Sequence, residues 1–131
     1  MLKDAPIHAS LATKDLAQAR SWYADKVGWE PALEPPGTLV YQVGQSFFSV
    51  YESEYAGTPK NTVMNWIVPD LRAQVARLRD RGVVFEEYDF GTEGKTVDGV
   101  LSDEQGNVIA WFKDSEGNIL GLTEDTGELS S

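Results

Sequence analysis

Two stretches of this chain follow one plan, and that plan limits the fold more than any other feature. IHASLATKDLAQARSWYADKVGWEP (7–31) and VMNWIVPDLRAQVARLRDRGVVFEE (63–87) each run from a short apolar strand to Asp-Leu, a helical pattern, a glycine and a second apolar stretch. Asp15 and Asp70 stand where an N-cap carboxylate satisfies the free amides of a first helical turn. Gln18, three residues after Asp15, resembles the far half of a capping box. Gly28 and Gly82 fall where helices end in the left-handed conformation. Leu16, Ala19, Tyr23 and Val27 recur at helical spacing, as do Leu71, Val75 and Leu78, so each helix is expected to press one face on a sheet.

Hairpin signals follow each helix. TLVYQVGQSFFSVYES reads as two strands turning at Gly44-Gln45, and GVLSDEQGNVIAWFKDSEGNILGLT as three, turning at EQGN and SEGN. The expected fold is α+β: two βαβββ modules forming a curled mixed sheet around a central cleft, with the helices on the outer face. A chain of 131 residues makes this a single domain. Module one spans about 6–55 and module two about 62–123, joined through EYAGTPKN and followed by an acidic tail, 124–131.

Strand alternation sorts the side chains. Ile7, Ala9 and Leu11 are expected toward the helices, with His8, Ser10 and Ala12 on the cleft side. Met64, Trp66 and Val68 face the helices, leaving Val63, Asn65 and Ile67 opposite. Phe47, Ser49 and Tyr51 line the cleft from the first hairpin, and Trp111 and Lys113 from the second. Gly121 sits at the centre of the last strand, where a glycine weakens pairing and marks a bulge or a close approach.

Composition narrows the function classes. There is no cysteine, so a disulfide scaffold, a thiolate zinc site and a cysteine nucleophile are excluded. Eleven Lys and Arg against 21 Asp and Glu give a net charge of −10 and no basic footprint for nucleic acid. That field favours cationic small molecules over anionic ones, although acidity also simply maintains solubility. MLKDAPIHAS has no apolar core or cleavage pattern, and no apolar run reaches spanning length, so a cytoplasmic protein without membrane contact is expected.

The repeat, the VPDL and RGVVF segments at its second copy, and FKDSEGN near the end together resemble the vicinal oxygen chelate superfamily. That superfamily contains glyoxalase I, methylmalonyl-CoA epimerase, extradiol dioxygenases and bleomycin-resistance proteins. Its pattern at the last motif is Phe-x-Asp-Pro-Asp-Gly-Asn, so Ser115 replaces proline and Glu116 replaces aspartate. Enzymes of this kind hold a divalent metal at four equivalent inner-strand positions, where it polarises vicinal oxygens of a substrate. The resemblance carries those positions onto His8, Ser49, Val63 and Gly121. Only the imidazole is a good ligand, so no metal and no cofactor are expected.

The resemblance then implies a metal-free cleft that binds or sequesters a small organic molecule, aromatic or cationic and antibiotic-like, in a homodimer. The alternative is a metal-dependent lyase, isomerase or dioxygenase of the same superfamily. His8, the sole histidine, is the only weak catalytic candidate, and contact with a ligand is the favoured role. Trp111 suits stacking or cation–π attraction, against the plainer reading that it fills core volume. EEYDFGTEGKTVDG (86–99) lacks periodicity and reads either as a binding loop carrying Glu86, Glu87 and Asp89 or as an edge strand and solvated loop.

Overall fold

The computed structural model describes residues 2–4, 8–104 and 106–125. Ile7 and nearly all of the expected tail lie outside them. Module one contains β1 (Ala9–Thr13), α1 (Leu16–Trp22), β2 (Thr38–Val43) and β3 (Ser46–Glu52). Module two contains β4 (Thr62–Val68), α2 (Leu71–Asp80), β5 (Val100–Ser102), β6 (Val108–Lys113) and β7 (Ile119–Glu124). Strand β7 therefore runs one residue into the stretch read as tail. The Glu124 carboxylate accepts from the Leu71 amide at the start of α2.

The strands form two mixed sheets of three and four strands, ordered β1-β3-β2 and β4-β7-β6-β5. In each, the first strand of the module runs parallel to the last and the remaining pairs are antiparallel. The duplication thus extends to topology. The strand expected after each helix shrinks to single bridges, Leu33 to Val40 and Phe85 to Phe112. Pro35 and Pro36 lack the amide a ladder needs, which cuts the first short. In the second, Phe85 and β5 both pair with β6, so 86–99 is an excursion out of one edge strand.

Both caps form as the spacing predicts. The Asp15 carboxylate accepts from the Gln18 amide at 3.0 Å and Asp70 from Ala73 at 3.2 Å. The capping box does not close through Gln18, because the Asp15 amide donates to the hydroxyl of Thr13 instead. Helix α1 widens into a π-helical turn, Tyr23–Val27, before Gly28 ends it at φ 76°. Tyr23, Tyr41 and Phe112 are fully buried, and Trp22 stacks on Phe112 at 6.2 Å, so one core runs through both modules.

The FKDSEGN turn clasps the modules together. Asp114 accepts from Tyr23 Oη at 3.0 Å, from the Asn118 side chain and from the amides of Glu116 and Asn118. Asn118 in turn donates to the Ala12 carbonyl, and Glu116 Oε1 accepts from Thr13 Oγ1 and the Lys14 amide, each at 2.9 Å. The glutamate that replaces aspartate thus ties down the end of β1.

Candidate functional site

Register places the inner-face residues in matching rows. Ser10 on β1 pairs with Ser49 on β3, and Asn65 on β4 pairs with Gly121 on β7. Ser10 and Asn65 each stand five residues before a helix cap, so the two rows are copies of one position in the repeat. The copies have diverged. Ser10 and Ser49 share a hydroxyl hydrogen bond at 3.2 Å. In the second row the Asn65 amide lies directly over Gly121, so that a Cβ there would collide with Asn65 Oδ1 and press Thr62 Cγ2 at 3.3 Å. Asn65 is held in this pose by donating to Thr123 Oγ1 at 2.8 Å.

Gly121 is buried and covered by Asn65, so the close approach expected at this glycine is made by a side chain of the neighbouring strand. Ser10 and Asn65 direct their side-chain hydrogen bonds to Ser49, to Thr123 and to the Trp66 carbonyl, away from His8. His8 is exposed just ahead of β1.

The positions that the resemblance carries over present few side-chain donors for a metal. Val63 and Gly121 offer no side-chain lone pair, and Ser49 is hydrogen-bonded to Ser10. Among the described residues no three His, Cys, Asp or Glu side chains are grouped to hold an ion. A single imidazole is too few donors for a divalent site.

Seven of the ten predicted residues fall into three patches. Ser10, Tyr51 and Val63 line a cavity of about 260 Å³ near the start of β1, with Tyr55 and Pro59. Asn65 and Gly121 make the closed contact described above. Trp111 and Lys113 line a groove of about 630 Å³. Phe47 is 44% exposed and borders neither groove that Trp111 lines.

Sequence reasoning missed most of that groove's walls. Tyr88 and Phe90, from the aperiodic 86–99 segment, meet Trp111 edge-on with ring centres at 5.3 and 5.7 Å. The linker supplies the opposite wall, through Thr58, Pro59 and Lys60. Aromatic residues in an aperiodic segment were the available signal. Trp111 Nε1 donates to Thr62 Oγ1 at 3.1 Å, which fixes the indole, and the residue stays half-buried at the groove.

Charge is distributed unevenly around these rings. Lys113 pairs with Glu86 at 3.3 Å. Glu87 accepts from the Gly99 amide and Asp89 from Gly91, so two acids expected at a cleft mouth shape the loop instead. Beyond Trp111 and Phe90 lies a second groove, about 920 Å³, which includes Glu93, Asp103 and Glu104 and no basic residue. Burial, then the nearby Glu86 carboxylate, raises the Tyr88 phenol above its ordinary value, so it remains a neutral donor.

This is the fold of glyoxalase and bleomycin-resistance proteins: two repeated modules of strand, helix and further strands, in mixed sheets of three and four strands. It matches a glyoxalase/bleomycin resistance protein from Catenulispora acidiphila at TM-score 0.69 and 23% identity, over 93% of this chain and 99% of that one. Lactoylglutathione lyase from Agrobacterium tumefaciens matches at TM-score 0.70 and 17% identity, over 98% of both chains. A bleomycin-binding protein in complex with bleomycin matches at 0.68 and 16%, over 93% and 98%. No family model matches the sequence, and no curated protein does. Among the described residues no helix is long and apolar enough to cross a membrane.

Proposed function

We propose that this chain is a small-molecule receptor that captures an aromatic cation across Trp111 and performs no metal chemistry. One observation carries the reading: the row that would hold ligands is closed by Asn65 over Gly121, while a few residues away three rings meet in one groove, and two of them, Trp111 and Phe90, also border an adjoining acid-lined groove. The ligand's ring stacks on the indole, and its positive charge lies toward Glu93 and Glu104. The two adjoining grooves exceed what a single-ring molecule fills. The likeness to a bleomycin-binding protein supports a bulky, positively charged, antibiotic-like ligand. His8 and Lys113 contribute contacts only.

The protein acts as a cytoplasmic homodimer, on this reading. Phe47 and Tyr51, 44% and 42% exposed on the inner face of the smaller sheet, supply apolar surface for a second copy. Light scattering at twice the chain mass tests the dimer.

Titration with bleomycin and other aromatic cations tests the binding. A member of that set is expected to raise the melting temperature, and Trp111→Ala to weaken it by about tenfold or more. A near-stoichiometric divalent metal in protein purified without chelators, lost on His8→Ala, overturns the reading in favour of a metal-dependent enzyme.

A further inference from the structure

We propose that a second site, on the helix side of the molecule and remote from Trp111, binds a planar aromatic carboxylate. A cavity of about 320 Å³ lies between the two modules, with Trp29 and Trp66 in its wall. Trp66 stacks on Phe112 at 6.0 Å and 11°, and Trp29 meets Trp66 at 5.4 Å, so the interior is a continuous aromatic surface. Both tryptophans are only half-buried.

The rim of this cavity inverts the charge of the protein. The chain has 21 acids and 11 Lys and Arg, yet Lys26, Arg77 and Arg81 line the cavity and no acid does. Two of these cations are held in place by the fold. Lys26 donates to the Arg81 carbonyl at 2.7 Å and pairs with Asp25 at 3.1 Å, while Arg81 donates to the Asp25 carbonyl at 3.2 Å. An ammonium has three donors and a guanidinium five, so each keeps donors in reserve. Arg77, in the last turn of α2, is the third, and among the described residues its side chain makes no hydrogen bond or ion pair.

An aromatic interior under a cationic rim selects a flat ring bearing one anionic group. Arginine receives a carboxylate in a planar fork, which fits an acid better than a neutral amide. The volume sits near the lower limit for ligand sites and admits one or two fused rings. Lys26 and Trp29 come from module one, Trp66 and the arginines from module two, so the ligand bridges the modules.

The probe is 2-naphthoate, titrated into the isotope-labelled full chain while the four indole N–H resonances are followed, each assigned by a Trp→Phe variant. The Trp29 and Trp66 signals are expected to shift saturably, with half-saturation below about 1 mM. Arg77→Gln should weaken binding about five- to tenfold, and 2-naphthamide should bind at least about tenfold more weakly than the acid. No shift at Trp29 and Trp66 by several millimolar overturns the site. So does equal affinity for acid and amide, or a shift confined to Trp111. The amide comparison needs no variant, and Trp111→Ala leaves this site intact, so its failure and that of the groove reading are separable.

Discussion

Replacing Gly121 by alanine tests the closed inner row directly. The backbone of Gly121 lies outside the left-handed region, so alanine meets no conformational barrier, and every cost comes from neighbours. The new Cβ collides with Asn65 Oδ1 and crowds Thr62 Cγ2 at 3.3 Å. Overpacking of this kind costs about 1–3 kcal/mol. Moving Asn65 aside also breaks its 2.8 Å bond to Thr123, worth about 1 kcal/mol. Loss of glycine's freedom in the unfolded chain returns about 0.4–1 kcal/mol. The expected net loss is about 1–3 kcal/mol, or a fall of about 3–6 °C in melting temperature for each kcal/mol in a chain of this size. In an Asn65→Ala background the same substitution should be neutral or slightly stabilising. Urea denaturation of the four proteins then yields a coupling energy of about 1–3 kcal/mol. Equal losses in both backgrounds would show that Asn65 does not close the position, and the argument against a carboxylate there would lose its steric half.

Three further outcomes follow from particular contacts. Tyr41 is fully buried with its hydroxyl unpartnered, so Tyr41→Phe should stabilise by about 1 kcal/mol, read by thermal denaturation. Burial, partly offset by the Arg20 charge, pushes the Tyr41 phenol up to about 12. The unfolded chain therefore loses that proton first; stability is full below about pH 10 and falls between about 10 and 12, and Tyr41→Phe should reduce that alkaline loss. Asp114→Ala strips four donors of their acceptor, including the buried Tyr23 hydroxyl, and should cost about 3 kcal/mol or more. Thr62→Val frees the Trp111 N–H, and should weaken groove ligands about threefold while changing stability by less than about 1 kcal/mol.

Much of this architecture is written locally. Asp15 and Asp70 cap helices because a carboxylate beside free amides does so in any fold, and Gly28 and Gly82 end them for an equally local reason. Strand alternation likewise sorts Trp111 from Phe112 and Asn65 from Trp66. Contacts between distant segments are not written that way. Nothing near Gly121 in sequence discloses that Asn65, 56 positions earlier, reaches over it. The Tyr23–Asp114 bond joins residues 91 positions apart, and spacing within α1 shows only that Tyr23 faces inward. Tyr88 and Phe90 escaped because 86–99 leaves and re-enters one edge strand, which removes the period that would have betrayed it.

The divergence of the two inner rows bears on function because each copy has met its polar needs internally. A shared ion at the seam requires donors that the modules leave unsatisfied until it arrives. Ser10 and Ser49 bond to one another, the Asn65 side-chain amide donates to Thr123, and Gly121 has no side chain to offer. Building a coordination sphere at these positions would thus mean both adding ligands and dismantling contacts, each dismantled bond costing about 1 kcal/mol before any metal binds. The aromatic positions show the opposite condition. Trp111 is fixed by its N–H yet keeps ring surface exposed, and Trp29 and Trp66 stay half-buried beneath a cationic rim. The two aromatic-lined grooves are thus bordered by charge of opposite sign, acidic beside Trp111 and basic beside Trp29 and Trp66. Surfaces of that kind are the basis of the two binding proposals, each for a ring-bearing ion of charge opposite to its border.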